Sequence, residues 1–414
     1  MRQMTRVVVA ALASAAIVGA IVSPPVVGEA QAAKRSRVVS GWFGYWTSPE
    51  DMASIAKSSN GVLGEVNIFW WAFGGAGNPI CTYGDSGSCQ GSSAKPWTND
   101  RFIQARKGLR KQGIKVYASH TDLYSGRRGE LSAYLSKKKN RKALSQQFAD
   151  WAVKAKVHGV DLDWENFAFN DGSATWKATK PRFVKTVRLM SKKLHRAGKL
   201  LSVTVPGGYA PNKPGGGYWV YAWNEIAPYV DRLRLMTYDY SWNRPGPIGP
   251  QKWARQVVKS AIRQVGSANR KKLYVGVHQY GKAWYARDAS DGYVTSGDCK
   301  ANWEPSGRDG IALSPAGAAG LAKDFGVTPT FDKSSREWTF RYLKGEPGTY
   351  LTKEGKKRSL DCDVWKETWY GDTLTAKARG RMVRKLGIGG LAVWNLANTN
   401  DDFYPGLAPF TVKK

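Results

Sequence analysis

The chain has 414 residues and a formal net charge of +31, with 63 Lys and Arg against 32 Asp and Glu. Such a charge attracts polyanions, but no recognised nucleic-acid motif accompanies it, so charge alone carries no nucleic-acid reading. Beyond the first residues no segment is long and apolar enough to span a membrane. The four His (His120, His158, His195, His278) are scattered and the four Cys lack CxxC spacing, which leaves no zinc site and calls for no metal or cofactor.

At the N-terminus, Arg2 and Arg6 precede an uncharged run from Val7 to Val22, then Pro24-Pro25 and an Ala30-Gln31-Ala32 cleavage pattern. This reads as a secretory signal peptide over residues 1–32. The mature, exported chain then starts near Ala33 and carries about +30, because Arg2, Arg6 and Glu29 together remove +1. For an exported protein, anionic cell-wall polymers are the expected polyanions. An even number of cysteines in such a chain favours disulfides. Three pairings are possible; Cys81 with Cys89 would pin a Gly-rich loop, leaving Cys299 with Cys362 to staple a later segment.

Eight apolar, β-branched runs follow: Val38 to Trp46, Val62 to Phe73, Ile114 to Ser119, Val157 to Asp163, Leu200 to Val205, Leu233 to Tyr238, Leu273 to Val277 and Ile388 to Trp394. Helix signals alternate with them. Ser48-Pro49-Glu50-Asp51 supplies a cap, a first-turn proline and two acids. Further helices are expected from Asn99 to Gln112, Arg141 to Lys156, Thr179 to Leu194, Pro250 to Val265 and Thr373 to Leu386, several stopped by glycine. Eight strand-helix units predict an α/β fold, a (β/α)8 TIM barrel whose chemistry sits where strands end and loops begin. From about 285 to 369 the rhythm is lost. Short strands at Thr328 to Tyr342 and Thr349 to Lys353 and a helix at Ser314 to Lys323 predict a small α+β insertion between strand seven and its helix. The expected division is therefore 33–284 for the first part of the barrel, 285–369 for the insertion and 370–414 for the remainder.

The densest chemistry lies in Gly159-Val160-Asp161-Leu162-Asp163-Trp164-Glu165. A strand alternates its side chains, so Asp161, Asp163 and Glu165 point one way and Val160, Leu162 and Trp164 the other. Three like charges in one enclosed column repel unless protons are shared, an arrangement stability alone would not select. Glu165, nearest the strand's C-terminal end, would be held protonated by a negative Asp163, and a carboxylic acid kept neutral near pH 7 can protonate a departing sugar oxygen. Aromatics close the first two strands, Tyr45 with Trp46 and Trp70-Trp71-Ala72-Phe73, and suit the apolar faces of sugar rings.

Strand six carries Met236-Thr237-Tyr238-Asp239. Together, the GVDLDWE and MTYD segments resemble the two signatures of family 18 glycoside hydrolases, the chitinase-like enzymes. Gly276 to Trp284 is similar to that family's seventh strand and Gly389 to Trp394 to its eighth. The closing Trp-Asn-Leu also resembles the spore-cortex and cell-wall N-acetylglucosaminidase branch. The resemblance implies Glu165 as proton donor, Asp163 as the partner orienting the substrate's acetamido group and Asp161 as the supporting acid. It implies that Tyr238 and Asp239 bind that group, that Trp394 forms the floor, and that Met236, Tyr45, Tyr280 and Phe73 contact substrate. The implied activity is substrate-assisted, retaining cleavage of an N-acetylglucosamine-containing polysaccharide, chitin or peptidoglycan, with a non-catalytic sugar-binding barrel as the alternative. Two departures stand out: His158 replaces an acid, and Ala118-Ser119-His120-Thr121-Asp122 replaces the usual Ser-x-Gly-Gly of strand three.

Overall fold

Each of the eight expected runs forms a strand because its residues are buried on both faces, one toward the barrel axis and one beneath a helix. The computed structural model describes residues 37–83, 89–90, 96–123, 127–207, 217–297 and 299–411; the expected leader lies outside them. The barrel strands are Val38–Phe43, Leu63–Ala72, Lys115–Thr121, Gly159–Asp163, Leu200–Pro206, Arg232–Met236, Leu273–His278 and Gly390–Trp394. All neighbours pair in parallel, and the first strand pairs with both the second and the eighth, so the sheet closes as a (β/α)8 barrel. Apolar side chains such as Val160, Leu162, Val203, Leu233 and Val275 fill the layer under the helices.

Local signals set the helix ends. Ser48 caps Pro49–Ser58 by accepting from the Asp51 amide, and Asn99 caps Asp100–Lys111 by accepting from that of Phe102. Thr373–Leu386 ends at Gly387, whose φ of 64° suits a residue without a Cβ. The helix expected to open at Thr179 instead runs Trp176–Arg196, with Pro181 inside it. Its earlier start is held by burial of Trp176 against Tyr218 and Trp219, a tertiary contact that local signals do not report. Helices Glu130–Ser136 and Phe403–Thr411 were not expected.

After strand seven the chain enters a second, antiparallel sheet. Gly281–Tyr285 pairs with Lys357–Tyr370, which forms a long hairpin with Glu337–Leu351. Ile311–Leu313 adds to the other side of Gly281–Tyr285, and helix Pro315–Asp324 packs nearby. The segment expected as a separate strand at Thr349 to Lys353 is instead the end and turn of that hairpin, since continuous pairing runs from Trp338↔Tyr370 to Leu351↔Lys357. Cys299 and Cys362 are disulfide-bonded, with Cα atoms 5.7 Å apart across 63 residues. Cys81 is also disulfide-bonded, but the Cys89 side chain lies outside the described residues.

Closing a loop of that length removes up to about 4 kcal/mol of unfolded-state entropy. Replacing Cys299 and Cys362 by Ser should therefore lower the denaturation midpoint reported by Trp303, which packs with Cys362. An unchanged midpoint would show that the bridge adds nothing to the insertion.

Candidate active site

Strand four brings the acids to the barrel axis as alternation requires. Asp161 is fully buried and surrounded by donors. Oδ2 accepts from Trp42 Nε1 at 3.1 Å and from Ser119 Oγ at 3.1 Å. Ser202, Thr204 and the Arg234 guanidinium, the last at 3.2 Å, donate to Oδ1. Every one of these partners donates, so the Asp161 oxygens are filled as acceptors. Arg234 is itself fully buried, bridges to Glu65 at 3.2 Å, and lies over the rings of Trp42, Tyr117 and Tyr274.

Asp163, one pleat higher, is only 5% exposed, and its Oδ1 is buried with no hydrogen-bond partner. Desolvation first, then Glu165, Asp161 and Asp122, push its carboxyl well above the usual carboxylate range, against the opposing pull of Arg234. Glu165 is half-buried, and its carboxyl is raised to about 7 by desolvation, then by Asp122 and Asp239. The expectation names a negative Asp163 as the group that keeps Glu165 protonated; the charges that raise Glu165 come from Asp122 and Asp239 on neighbouring strands, and Asp163 is itself raised.

Asp122 went unrecognised from sequence as a site residue. It is fully buried at the end of strand three and accepts the amides of Glu165 at 2.6 Å, Asn166 at 2.9 Å and Phe167 at 2.8 Å. It therefore caps the short helix Asn166–Phe169 and fixes the turn that aims Glu165. The signal was present in the departure at strand three, where an acid stands in place of glycines.

The other expected residues divide. Tyr238 and Met236 are half-buried at the end of strand six, and Tyr238 packs closely on strand seven because Gly276 carries no Cβ; one added there would stand 3.0 Å from the Tyr238 ring. Asp239 accepts from Tyr280 Oη at 2.6 Å and pairs with Lys282 at 3.1 Å, both through Oδ1, which leaves Oδ2 for another partner. Trp394 is half-buried, with the edges of Trp42, Phe69 and Trp46 against it at 5.2 to 6.4 Å. Tyr45 stacks edge-on with Trp46. Phe73 is a correction: it is fully buried and packs on Tyr134 in the helix-side core. A register shift between Phe69 and Trp71 in strand two turns Trp71 and Phe73 toward the helices, and Phe69 takes the place beside Trp394.

His120 does not face the opening. It is fully buried, accepts from Trp164 Nε1 at 2.7 Å and donates through Nε2 to the Pro79 carbonyl at 3.1 Å, while burial lowers it to about 3. His158 lies at the opposite end of the barrel, where Nδ1 accepts from the Val116 amide. Over Trp394 lies a cavity of about 340 Å³ whose walls include Asp239, Tyr280 and Trp242 from the barrel side, Lys282 from the first strand of the second sheet, and Leu313 and Ser314 from the insertion. Among the described residues no His, Cys, Asp and Glu cluster has a metal-holding arrangement.

The sequence model of the family described as "Glycosyl hydrolases family 18" matches residues 43–399. The "Uncharacterized glycosylase YvbX" of Bacillus subtilis is 23% identical over 304 residues, covering 72% of this chain and 75% of that protein. The "Cortical fragment-lytic enzyme" of Bacillus anthracis is 23% identical over 250 residues, 59% of this chain and 47% of its own length, so the match spans about half of that relative. Among solved structures, catalytic domain 2 of the Group II chitinase of Ostrinia furnacalis, in complex with an N-acetylglucosamine oligomer, superposes with a TM-score of 0.66. That match has 17% identity and covers 91% of this chain and 96% of that one.

If Asp122 supplies charge as well as position, Asp122→Asn should move the Glu165 titration to lower pH than about 7, because ionising Glu165 no longer opposes a neighbouring anion. Carboxyl-carbon NMR of Glu-labelled protein checks this, and an unmoved midpoint would leave Asp122 a purely geometric role.

Proposed function

The chain belongs to glycosyl hydrolases family 18, and from that premise we propose that it is a glycosidase of β-1,4-linked N-acetylglucosamine polymers, chitin or peptidoglycan, working by substrate-assisted retention. The observation that carries the reading is the buried, unpartnered Asp163 Oδ1 one pleat below a half-buried Glu165 raised to about 7. A desolvated polar atom without a partner is costly, and a substrate amide N–H entering the barrel mouth would satisfy it.

In the proposed mechanism Glu165 donates its proton to the departing glycosidic oxygen. Asp163 holds the 2-acetamido N–H, and the acetamido oxygen attacks the anomeric carbon, displacing the leaving sugar and forming an oxazolinium ion. Asp163 stabilises that cation, Tyr238 donates to the acetamido oxygen, and the free Oδ2 of Asp239 meets a further substrate group. Water activated by ionised Glu165 then opens the ring, returning the anomeric centre to its starting configuration. Trp394 is the apolar floor, with Met236, Tyr45 and Tyr280 alongside. Export through the expected 1–32 leader and action at a cell wall belong to this proposal. They are supported by the charge of the chain and by relatives whose names are those of cortex-lytic enzymes.

Glu165→Gln keeps shape and removes the transferable proton, so turnover of a chromogenic chitobioside should fall about 10²-fold or more with folding intact. For the wild type, kcat/KM should decline as pH rises through about 7, where Glu165 of the free protein loses its proton. Asp163→Asn should cost rate with Glu165 present, NMR should show the first product anomer retained, and cellulose oligomers should resist cleavage. An inverted product, or cellulose cleaved comparably, would overturn the mechanism.

A further inference from the structure

At the end of the barrel opposite the acids, the loops entering strands three, four and five surround a cavity of about 480 Å³. Arg110, Lys115, Lys156 and Lys199 line it together with His158, and no carboxylate does. Four cationic heads around one hollow are not the product of a single helix face: Arg110 ends one helix, Lys156 follows a second, Lys199 follows a third, and Lys115 opens a strand.

Part of the cluster has an internal explanation. Arg110 Nη1 donates to the Lys156 carbonyl at 3.1 Å and Lys199 Nζ to the Val157 carbonyl at 2.8 Å, so both satisfy carbonyls where the preceding helix has ended. These contacts use one donor of each, and none of the four cations belongs to an ion pair among the described residues; Lys115 and Lys156 make no side-chain hydrogen bond there either. His158 Nδ1 accepts from the Val116 amide, so the neutral ring carries its proton on Nε2 as a donor. Burial first, and then repulsion from the neighbouring cations, lowers the basicity of His158 and Lys199. An anion in the hollow would relieve that repulsion.

We infer that this basal hollow is an anion-binding site for phosphate groups, and that its occupant is a phosphodiester-bearing polyanion held away from the catalytic mouth. Phosphate is favoured over carboxylate because a phosphodiester's tetrahedral oxygens, two unesterified and two bridging, offer acceptors in several directions to cationic heads that come from four different segments, whereas a carboxylate offers two in one plane. The net charge of +31 supplies long-range attraction, and the hollow supplies a local seat. Its location leaves the cleft above Trp394 open, so the protein can be retained on a polymer while its mouth engages another chain.

The test uses the full chain, with inorganic pyrophosphate as the small probe and poly(glycerol phosphate) as the polymer, at fixed moderate salt. Pyrophosphate should shift the His158 ring signals by NMR, and Lys115→Glu should weaken its binding about tenfold or more. Lys156→Glu provides a second charge reversal should the first disturb strand three. Lys323→Glu, an exposed site on the insertion helix, changes net charge equally and should leave pyrophosphate affinity within about twofold. Poly(glycerol phosphate) should bind more tightly than polyglutamate of equal charge and compete with pyrophosphate, while chitobioside turnover by Lys115→Glu stays unchanged. An unmoved His158 signal, or equal losses in the Lys115 and Lys323 variants, would show diffuse surface charge and overturn the site. Pyrophosphate binding without polymer competition would overturn the polymer as occupant.

Discussion

The arrangement at the mouth depends on one buried cation. Arg234 lies with no solvent exposure between Glu65 and Asp161, enclosed by three aromatic rings. An unpaired guanidinium would be costly there, and its removal would leave two buried carboxyl groups without their cationic partner. With Arg234, Trp42, Ser119, Ser202 and Thr204 donating to its oxygens, Asp161 is filled as an acceptor by the layer beneath the mouth. The next two acids on the strand must accommodate their repulsion between themselves, and they do so by retaining protons at pH values where exposed carboxylates are ionised.

That constraint connects barrel construction to chemistry. Asp163, in its buried position, and Glu165, at the water boundary, are both raised, Glu165 to about 7. Asp122 and Asp239, from strands three and six, tune Glu165 from either side, while Tyr280 and Lys282 steady Asp239 from beyond strand seven. Lys282 lies on Gly281–Tyr285, the strand that leaves the barrel for the second sheet. The insertion is thus tied to the site through its first strand as well as through the cavity wall at Leu313 and Ser314.

Much of this was legible in the sequence because its causes are local. Period-two alternation placed Asp161, Asp163 and Glu165 on one face, and capping residues at Ser48 and Asn99 and the stop at Gly387 marked helix ends that the structure reproduces. What was hidden depends on long-range partners. Phe73 looked like a mouth aromatic because alternation was carried past Phe69, where a register shift reverses it. Asp122 lies 43 residues from Glu165, and nothing in its neighbourhood announces that it caps another strand's loop. Arg234, two residues before Met236, reads as an ordinary charged strand residue until the barrel closes and places it beside Asp161.

The central claim is the location of the proton at the mouth, and neutron diffraction of a deuterated crystal at neutral pH tests it most directly. The account predicts deuterium held within the Asp163 and Glu165 pair, with the density around Asp161 belonging to donors from Trp42, Ser119, Ser202, Thr204 and Arg234. Deuterium on neither carboxyl of that pair would contradict it.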